Sequence, residues 1–261
     1  MIFDSFVYYT DDADALFVKR CRNIFFMSKK LFVLFCFLVP LASFAQRGDA
    51  KWTLRGYGVY DYHIATGHLG GLAILSDCQL AENFRVTMGV EGVSSKRYAL
   101  NAQGQVNLVE TRNGALYAEN RYLYRLFPSL NMQEFTGALS LGYRNRRWNF
   151  LFGLCNRYVA EIPQRIHGGE GTLFEPMNVM FLVEGNLFDD SHPWNIGASI
   201  SNYDDFVIER FTLFFYSLKG YYQINDHLRV TAKAGIHPAG VLNLTSIRDG
   251  GFVHVGVSYE F

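Results

Sequence analysis

The side chains of this 261-residue chain that could carry covalent or metal chemistry are seven histidines, four cysteines and its serines, and their spacing argues against such chemistry. His63, His68, His167, His192, His227, His237 and His254 form no His-Glu-x-x-His or other ligand spacing, and no Cys-x-x-Cys accompanies them. His63 and His68 stand close together near a short loop but lack a third ligand. Ser199, Ser201 and Ser258, set against His237 and His254, sit in no Gly-x-Ser-x-Gly context. Cys78 and Cys155 show neither paired nor metal-type spacing and read as small apolar residues. Gly168-Gly169-Glu170-Gly171 and Gly250-Gly251 lack the strand-to-helix setting of a phosphate loop and read as turns. The sequence assigns no enzymatic reaction, no metal and no cofactor.

Charged residues do fall into a pattern. Arg55, Asp61, Arg85, Glu91, Arg144, Arg157, Glu184, Arg229, Lys233, His254 and Glu260 alternate with apolar neighbours at period two, the strand period. The last stretch, Gly251 to Phe261, is the clearest. Val253, Val255, Val257, Tyr259 and Phe261 share one face, and His254, Gly256, Ser258 and Glu260 the other. Composition agrees with long strands. Apolar residues make up 49% and aromatic residues 16%, with abundant Gly and few Pro. Lys+Arg and Asp+Glu balance at 24 each, so no net field argues for nucleic acid. No segment has the roughly 18 consecutive apolar residues of a transmembrane helix.

About ten strands can be drawn, at 51–63, 70–77, 84–94, 134–144, 147–158, 177–187, 194–203, 211–223, 228–238 and 251–261. Four short polar turns join pairs of them. One follows Cys78, a second is its near-repeat after Tyr222, a third is Arg146-Arg147 and a fourth is His192-Pro193. Opposite connections read as longer: Ser95 to Gln133, Val159 to Pro176, Asn202 to Arg210 and Ala239 to Gly250. Trp52, Tyr143, Trp148, Trp194, Tyr221, Tyr222, Tyr259 and Phe261 gather at the short-turn ends, where Trp and Tyr suit a lipid–water boundary.

Ahead of these strands, residues 27–45 read as a secretory signal peptide: Lys29 and Lys30, an apolar run from Leu31 to Leu41, and a small-x-small site ending at Ala45, with cleavage before Gln46. Residues 1–26 read as a start-site extension or disordered leader, leaving 46–261 as the mature barrel.

The terminal strand, with its final Phe and alternating apolar residues, resembles the closing strand of bacterial outer-membrane β-barrels. The short-turn and long-loop rims resemble the two ends of such barrels. The expected fold is therefore all-β, an antiparallel up-and-down transmembrane β-barrel of about ten strands. The resemblance implies a bacterial outer-membrane location and partners in outer-membrane lipid and lipopolysaccharide. It also implies insertion by the barrel-assembly machinery, with Val255, Val257, Tyr259 and Phe261 as the insertion signal.

In such a barrel the charged face must point inward, because Arg or Lys at the bilayer midplane costs about 2–4 kcal/mol. Arg55, Asp61, Glu91, Arg144, Arg157, Glu184, Arg229, Lys233, His254 and Glu260 are the lumen candidates. Both signs occur, so they can pair across the interior and plug it. A lumen only slightly wider than the eight-stranded size that side chains can fill favours this. The stretch Ser95 to Gln133 reads as a basic, Tyr-rich surface loop whose Lys96, Arg97, Arg112, Arg121, Tyr122, Tyr124 and Arg125 could meet lipopolysaccharide phosphates or a glycan. Its run Asn120 to Phe127 alternates and could extend the barrel wall. The expected role is structural or surface-interacting, with an unknown surface ligand. A narrow pore for small polar solutes, a secreted soluble β-barrel binding a small ligand, and an outer-membrane lipid hydrolase stand as alternatives.

Overall fold

Alternation at period two becomes strand along nearly all of the chain that the computed structural model describes, namely residues 51–63, 67–94, 96–161, 172–189, 192–240 and 243–261. The leader 1–26, the signal peptide 27–45 and the Gly168 to Gly171 turn lie outside the described residues. In chain order the strands are β1 (Lys51–His63), β2 (Gly67–Ala81), β3 (Phe84–Val93), β4 (Arg97–Thr111), β5 (Gly114–Phe127), β6 (Met132–Asn145), β7 (Trp148–Glu161), β8 (Thr172–Asn186), β9 (Trp194–Ser201), β10 (Tyr203–Asp204), β11 (Val207–Ile208), β12 (Phe215–Gln223), β13 (Leu228–Gly240) and β14 (Asn243–Glu260).

Twelve of these close an antiparallel barrel in which each strand pairs with its chain neighbours. Strand β9 pairs directly with β12, and β10 and β11 form a separate two-stranded sheet. Closure is made by β14 on β1, from Thr53 opposite Glu260 to His63 opposite Gly250.

The count of about ten strands is therefore corrected to twelve, and the reason is local. The stretch 95–133 is not a surface loop. It holds β4 and β5, joined by a two-residue turn at Arg112-Asn113 and followed by a short 3-10 turn, Pro128–Leu130. Ala102 and Gly104 give β4 weak outward positions, and beyond Arg97 its inward face carries the small Ala99 and the uncharged Asn101, Gln103 and Gln105. That mixture hides a period of two. The expected loop at 239–250 is likewise strand, since β13 runs to Gly240 and β14 starts at Asn243.

Four short connections, at 82–83, 112–113, 146–147 and 224–227, lie on one rim, called lower here, together with the link from β8 to β9 and both ends of the barrel chain. Asparagine shapes two of them by accepting backbone N–H groups that the ladders leave free. Asn145 Oδ1 accepts from Arg147 and Trp148 at 2.9 and 2.7 Å, and Asn225 Oδ1 from His227 and Leu228 at 2.9 and 2.8 Å.

The two faces of the wall differ sharply. Outward positions carry Leu139 and Leu141 on β6, Phe150, Phe152 and Leu154 on β7, and Val253, Val255 and Val257 on β14, all exposed. At the lower rim this surface ends in Trp52, Tyr143, Trp148, Trp194, Tyr222, Tyr259 and Phe261; Phe261 lies 5.9 Å from Trp52 and 4.9 Å from Tyr259 between ring centroids. Tyr221 turns inward instead, under the Arg229 guanidinium at 4.4 Å. Inward positions carry the buried Glu91, Glu119, Arg121, Arg125 and Glu134.

Candidate functional site: a lumen divided by an inward hairpin

Twelve strands enclose more space than wall side chains can fill, eight being about the limit for that. The chain answers with its own backbone. After β9 it turns into the barrel, forms the β10–β11 hairpin across the Asp205-Phe206 turn, and returns to the wall at β12. The stretch Asn202 to Arg210, expected as an outer loop, is thus an internal element.

Its base is anchored by Asn202, which is fully buried. The Asn202 Oδ1 accepts the Phe181 N–H at 2.9 Å, and its Nδ2 donates to the carbonyls of Val179 and Glu209, each at 2.8 Å. These bonds tie the hairpin to β8 and close its own neck. Ser201 Oγ accepts the Tyr203 N–H at 3.0 Å.

The tip crosses to the opposite wall. Arg121 on β5 donates to the Asp204 carbonyl at 2.8 Å and stacks over the Tyr203 ring at 4.7 Å. On β13, Lys233 meets the Asp204 carboxylate at 2.9 Å, and His254 on β14 lies 3.8 Å from it. Burial alone would raise the Asp204 carboxyl; Lys233 and His254 outweigh it and hold the group down at about 2. The Tyr57 hydroxyl donates to Asp205 at 3.2 Å, and Arg55 lies 3.9 Å from the same carboxylate.

Apolar packing accompanies these charges. Phe206 and Ile208, each 2% exposed, join Leu75, Val93, Leu123 and Met180 in one buried cluster inside the barrel. Gly89 leaves the room for Phe206: a Cβ there would stand 2.8 Å from Phe206 Cζ and 2.9 Å from Leu75 Cγ. The lumen is therefore not purely charged, and side chains alone do not fill it.

Among the described residues, two cavities flank the hairpin inside the barrel, one on each side. The upper, about 780 Å³, is lined in part by Asp61, Glu91, Arg97, Arg157, Phe252 and His254. Its arginines are matched to carboxylates. Arg97 pairs with Asp61 and Glu91, both at 2.8 Å. Arg125 pairs with Glu134 at 2.8 Å, and Arg157 with Glu134 at 3.2 Å and Glu175 at 3.6 Å, while Arg210 also pairs with Glu175. Glu209 of the hairpin segment reaches this network at 3.6 Å from Arg125.

The lower cavity, about 500 Å³, runs from the hairpin to the β6–β7 turn and includes Arg55, Arg144, Glu184, Arg229 and Lys233 in its lining. Here Arg55 pairs with Asp77 at 2.7 Å and Lys219 with Glu184 at 2.6 Å. Of the ten lumen candidates, Glu260 is the one that lines neither cavity. It is exposed at the end of β14, where its carbonyl faces the His227 ring at 2.9 Å.

The residues proposed as a loop binding surface are dispersed. Arg97, Arg121 and Arg125 point inward and are paired; Lys96 sits in the upper turn; Arg112 lies at the opposite rim; Tyr122 and Tyr124 face outward. Their strand setting and opposite faces rule out one shared patch. Among the serines, Ser199 shares a hydrogen bond with Ser217 at 2.7 Å and Ser201 caps Tyr203. His68 lies on the outer surface, its Nδ1 2.5 Å from the Tyr60 hydroxyl. Cys78 and Cys155 are free and buried.

The hairpin escaped sequence reading because each of its strands is two residues long, too short to show a period. The side-by-side Asp204, Asp205, Phe206 and Ile208 were its one signal, acidic and apolar residues together where an exposed loop needs neither.

No family model and no curated protein matches the chain. Among solved structures it is similar to the outer-membrane protein Omp33 of Acinetobacter baumannii, at 13% identity over 81% of this chain and 98% of that one, with a TM-score of 0.46. It is also similar to the KdgM porin in complex with disordered oligogalacturonate, at 12% identity over 79% and 99%, TM-score 0.47. A third is an outer-membrane channel from Pseudomonas putida F1, at 9% identity over 83% and 99%, TM-score 0.48.

Proposed function

We propose that the chain is an integral bacterial outer-membrane barrel held shut by its internal hairpin, with a structural or surface-interaction role. The wall supports the membrane assignment: it puts leucine, phenylalanine and valine outside and charge inside, the reverse of a soluble ligand-binding barrel. Trp and Tyr at the lower rim suit a headgroup boundary, and the short turns and both ends of the barrel chain gathered there suit the periplasmic side, with the other rim toward the cell exterior. The leader 27–45 would route the chain for secretion. The exposed outward Val255, Val257, Tyr259 and Phe261 stand where the barrel-assembly machinery would read them during insertion.

The observation that carries the closed reading is the burial of Phe206 and Ile208 inside the barrel. The test is conductance of purified protein in planar bilayers, for the natural chain and for a Phe206→Asp/Ile208→Asp variant. Burying an unpaired carboxylate is costly enough to expel the hairpin. The natural chain is expected to give no discrete channel events above a mock preparation, and the variant is expected to give them. Sustained events from the natural chain would overturn the closed barrel. They would favour the second reading, a narrow pore for small polar solutes, which the largely polar lining of the lower cavity supports.

A further inference from the structure

The lower cavity has a charge pattern that the upper one lacks. It is lined by eight basic side chains against five acidic ones. The acidic groups are already engaged: Asp77 by Arg55, Glu119 by Arg121, Glu184 by Lys219, Asp204 by Lys233, and Asp205 by Tyr57 and Arg55. Four arginines are left without a carboxylate among the described residues: Arg146 in the β6–β7 turn and three on strands, Arg85 on β3, Arg144 on β6 and Arg229 on β13.

Each of the three on strands is positioned by neutral groups. Arg85 Nε donates to the Gln79 side-chain carbonyl at 3.3 Å, and Arg229 Nε to that of Gln223 at 2.7 Å. Arg144 lies over the Tyr117 ring at 5.7 Å, and Arg229 over the Tyr221 ring at 4.4 Å. A neutral acceptor on Nε, or a ring face, restrains a guanidinium without cancelling its charge. The terminal nitrogens stay available for the two-pronged hydrogen bonding at which arginine exceeds lysine.

We infer that the lower cavity is a binding site for a small multivalent oxyanion, entered from the lower rim and roofed by the β10–β11 hairpin. Phosphate esters and small polycarboxylates are the matching class, since planar guanidinium groups pair with their oxygens bidentately. The volume, about 500 Å³, falls within the roughly 300–1,000 Å³ of small-molecule sites. The site needs the hairpin as its roof but does not depend on the membrane assignment, so it can be tested on folded protein in detergent.

Isothermal titration with inorganic pyrophosphate is the experiment, run on the natural chain, on Arg85→Gln/Arg144→Gln, and on Arg112→Gln as a control outside this cavity. Heat-modifiable gel mobility reports whether each variant is folded, and Arg229→Gln is the substitute if the double variant is not. One-to-one binding is expected, at least tenfold weaker in the cavity variant and unchanged in Arg112→Gln. Absence of saturable binding, or equal affinity in the cavity variant, would overturn the site. Either result leaves the conductance test of the closed barrel untouched. Titration with citrate then separates the two ligand sources: tighter binding of citrate than of pyrophosphate assigns the site to polycarboxylates, and the reverse to phosphate esters.

Discussion

Glu134 accepts hydrogen bonds from Arg125, at 2.8 and 2.9 Å, and from the Thr136 hydroxyl at 3.1 Å, and it pairs with Arg157 at 3.2 Å. Its side chain is 5% exposed, as is that of Arg125. Removing one partner of such a pair strands a buried charge, which costs about 3–5 kcal/mol. Glu134→Ala is therefore expected to lower unfolding free energy in denaturant titration by about that amount. Glu184 makes the contrast, because its partner Lys219 is 37% exposed and water can take over much of the interaction. Glu184→Ala is expected to cost no more than about 1 kcal/mol. Equal losses at the two sites would mean that water reaches Arg125 freely. At this scale the sequence showed which positions alternate with apolar ones. It gave no partners, because pairing such as Arg125 with Glu209 depends on a fold-back that no local spacing encodes.

The hairpin behaves as an element with its own linkage to pH. Docked, the Asp204 carboxyl is held at about 2 by Lys233 and His254 against its burial, while an undocked hairpin would carry an ordinary aspartate near 3.8. A depressed value means that this carboxylate favours docking above about pH 4 and loses that contribution as pH falls toward 2. Bilayer conductance is accordingly expected to stay absent from pH 8 to 5 and to rise only below about pH 4. In Asp204→Asn the contribution is missing at every pH, so the hairpin should be looser at neutral pH and the acid-dependent step smaller. A step of the same size in that variant would assign it to another carboxylate. Most wall elements were legible from alternation and Asn-bearing turns, and β1 has the bounds its sequence indicated. The β4–β5 pair was not legible as wall: the polar inward and small outward residues of β4 imitate a loop, and the alternating run Asn120 to Phe127 of β5 lacks a legible neighbour without it. Finding that pair changes the molecule as well as the count, because the wider barrel it creates is what requires an internal hairpin.

For the molecule as a whole, the membrane assignment stands on the inversion of the two faces, and that inversion predicts energies that differ with height. Leu139 lies midway along β6, faces outward and is 67% exposed. Tyr143 faces the same way near the lower rim. In water, arginine at either exposed position would cost little, within about 0.5 kcal/mol as for ordinary surface substitutions. In a bilayer, arginine at the midplane costs about 2–4 kcal/mol, falling to about 0–1 near the interface. Folding into liposomes under denaturant titration should therefore show Leu139→Arg losing about 2–4 kcal/mol and Tyr143→Arg much less. Arginine tolerated equally at both heights would remove the bilayer from the account, although the closed barrel would survive. A gradient from Leu139 to the rim would mean that the apolar belt is matched to a hydrocarbon layer, and that the charges opposite it are inside because lipid leaves them nowhere else to go.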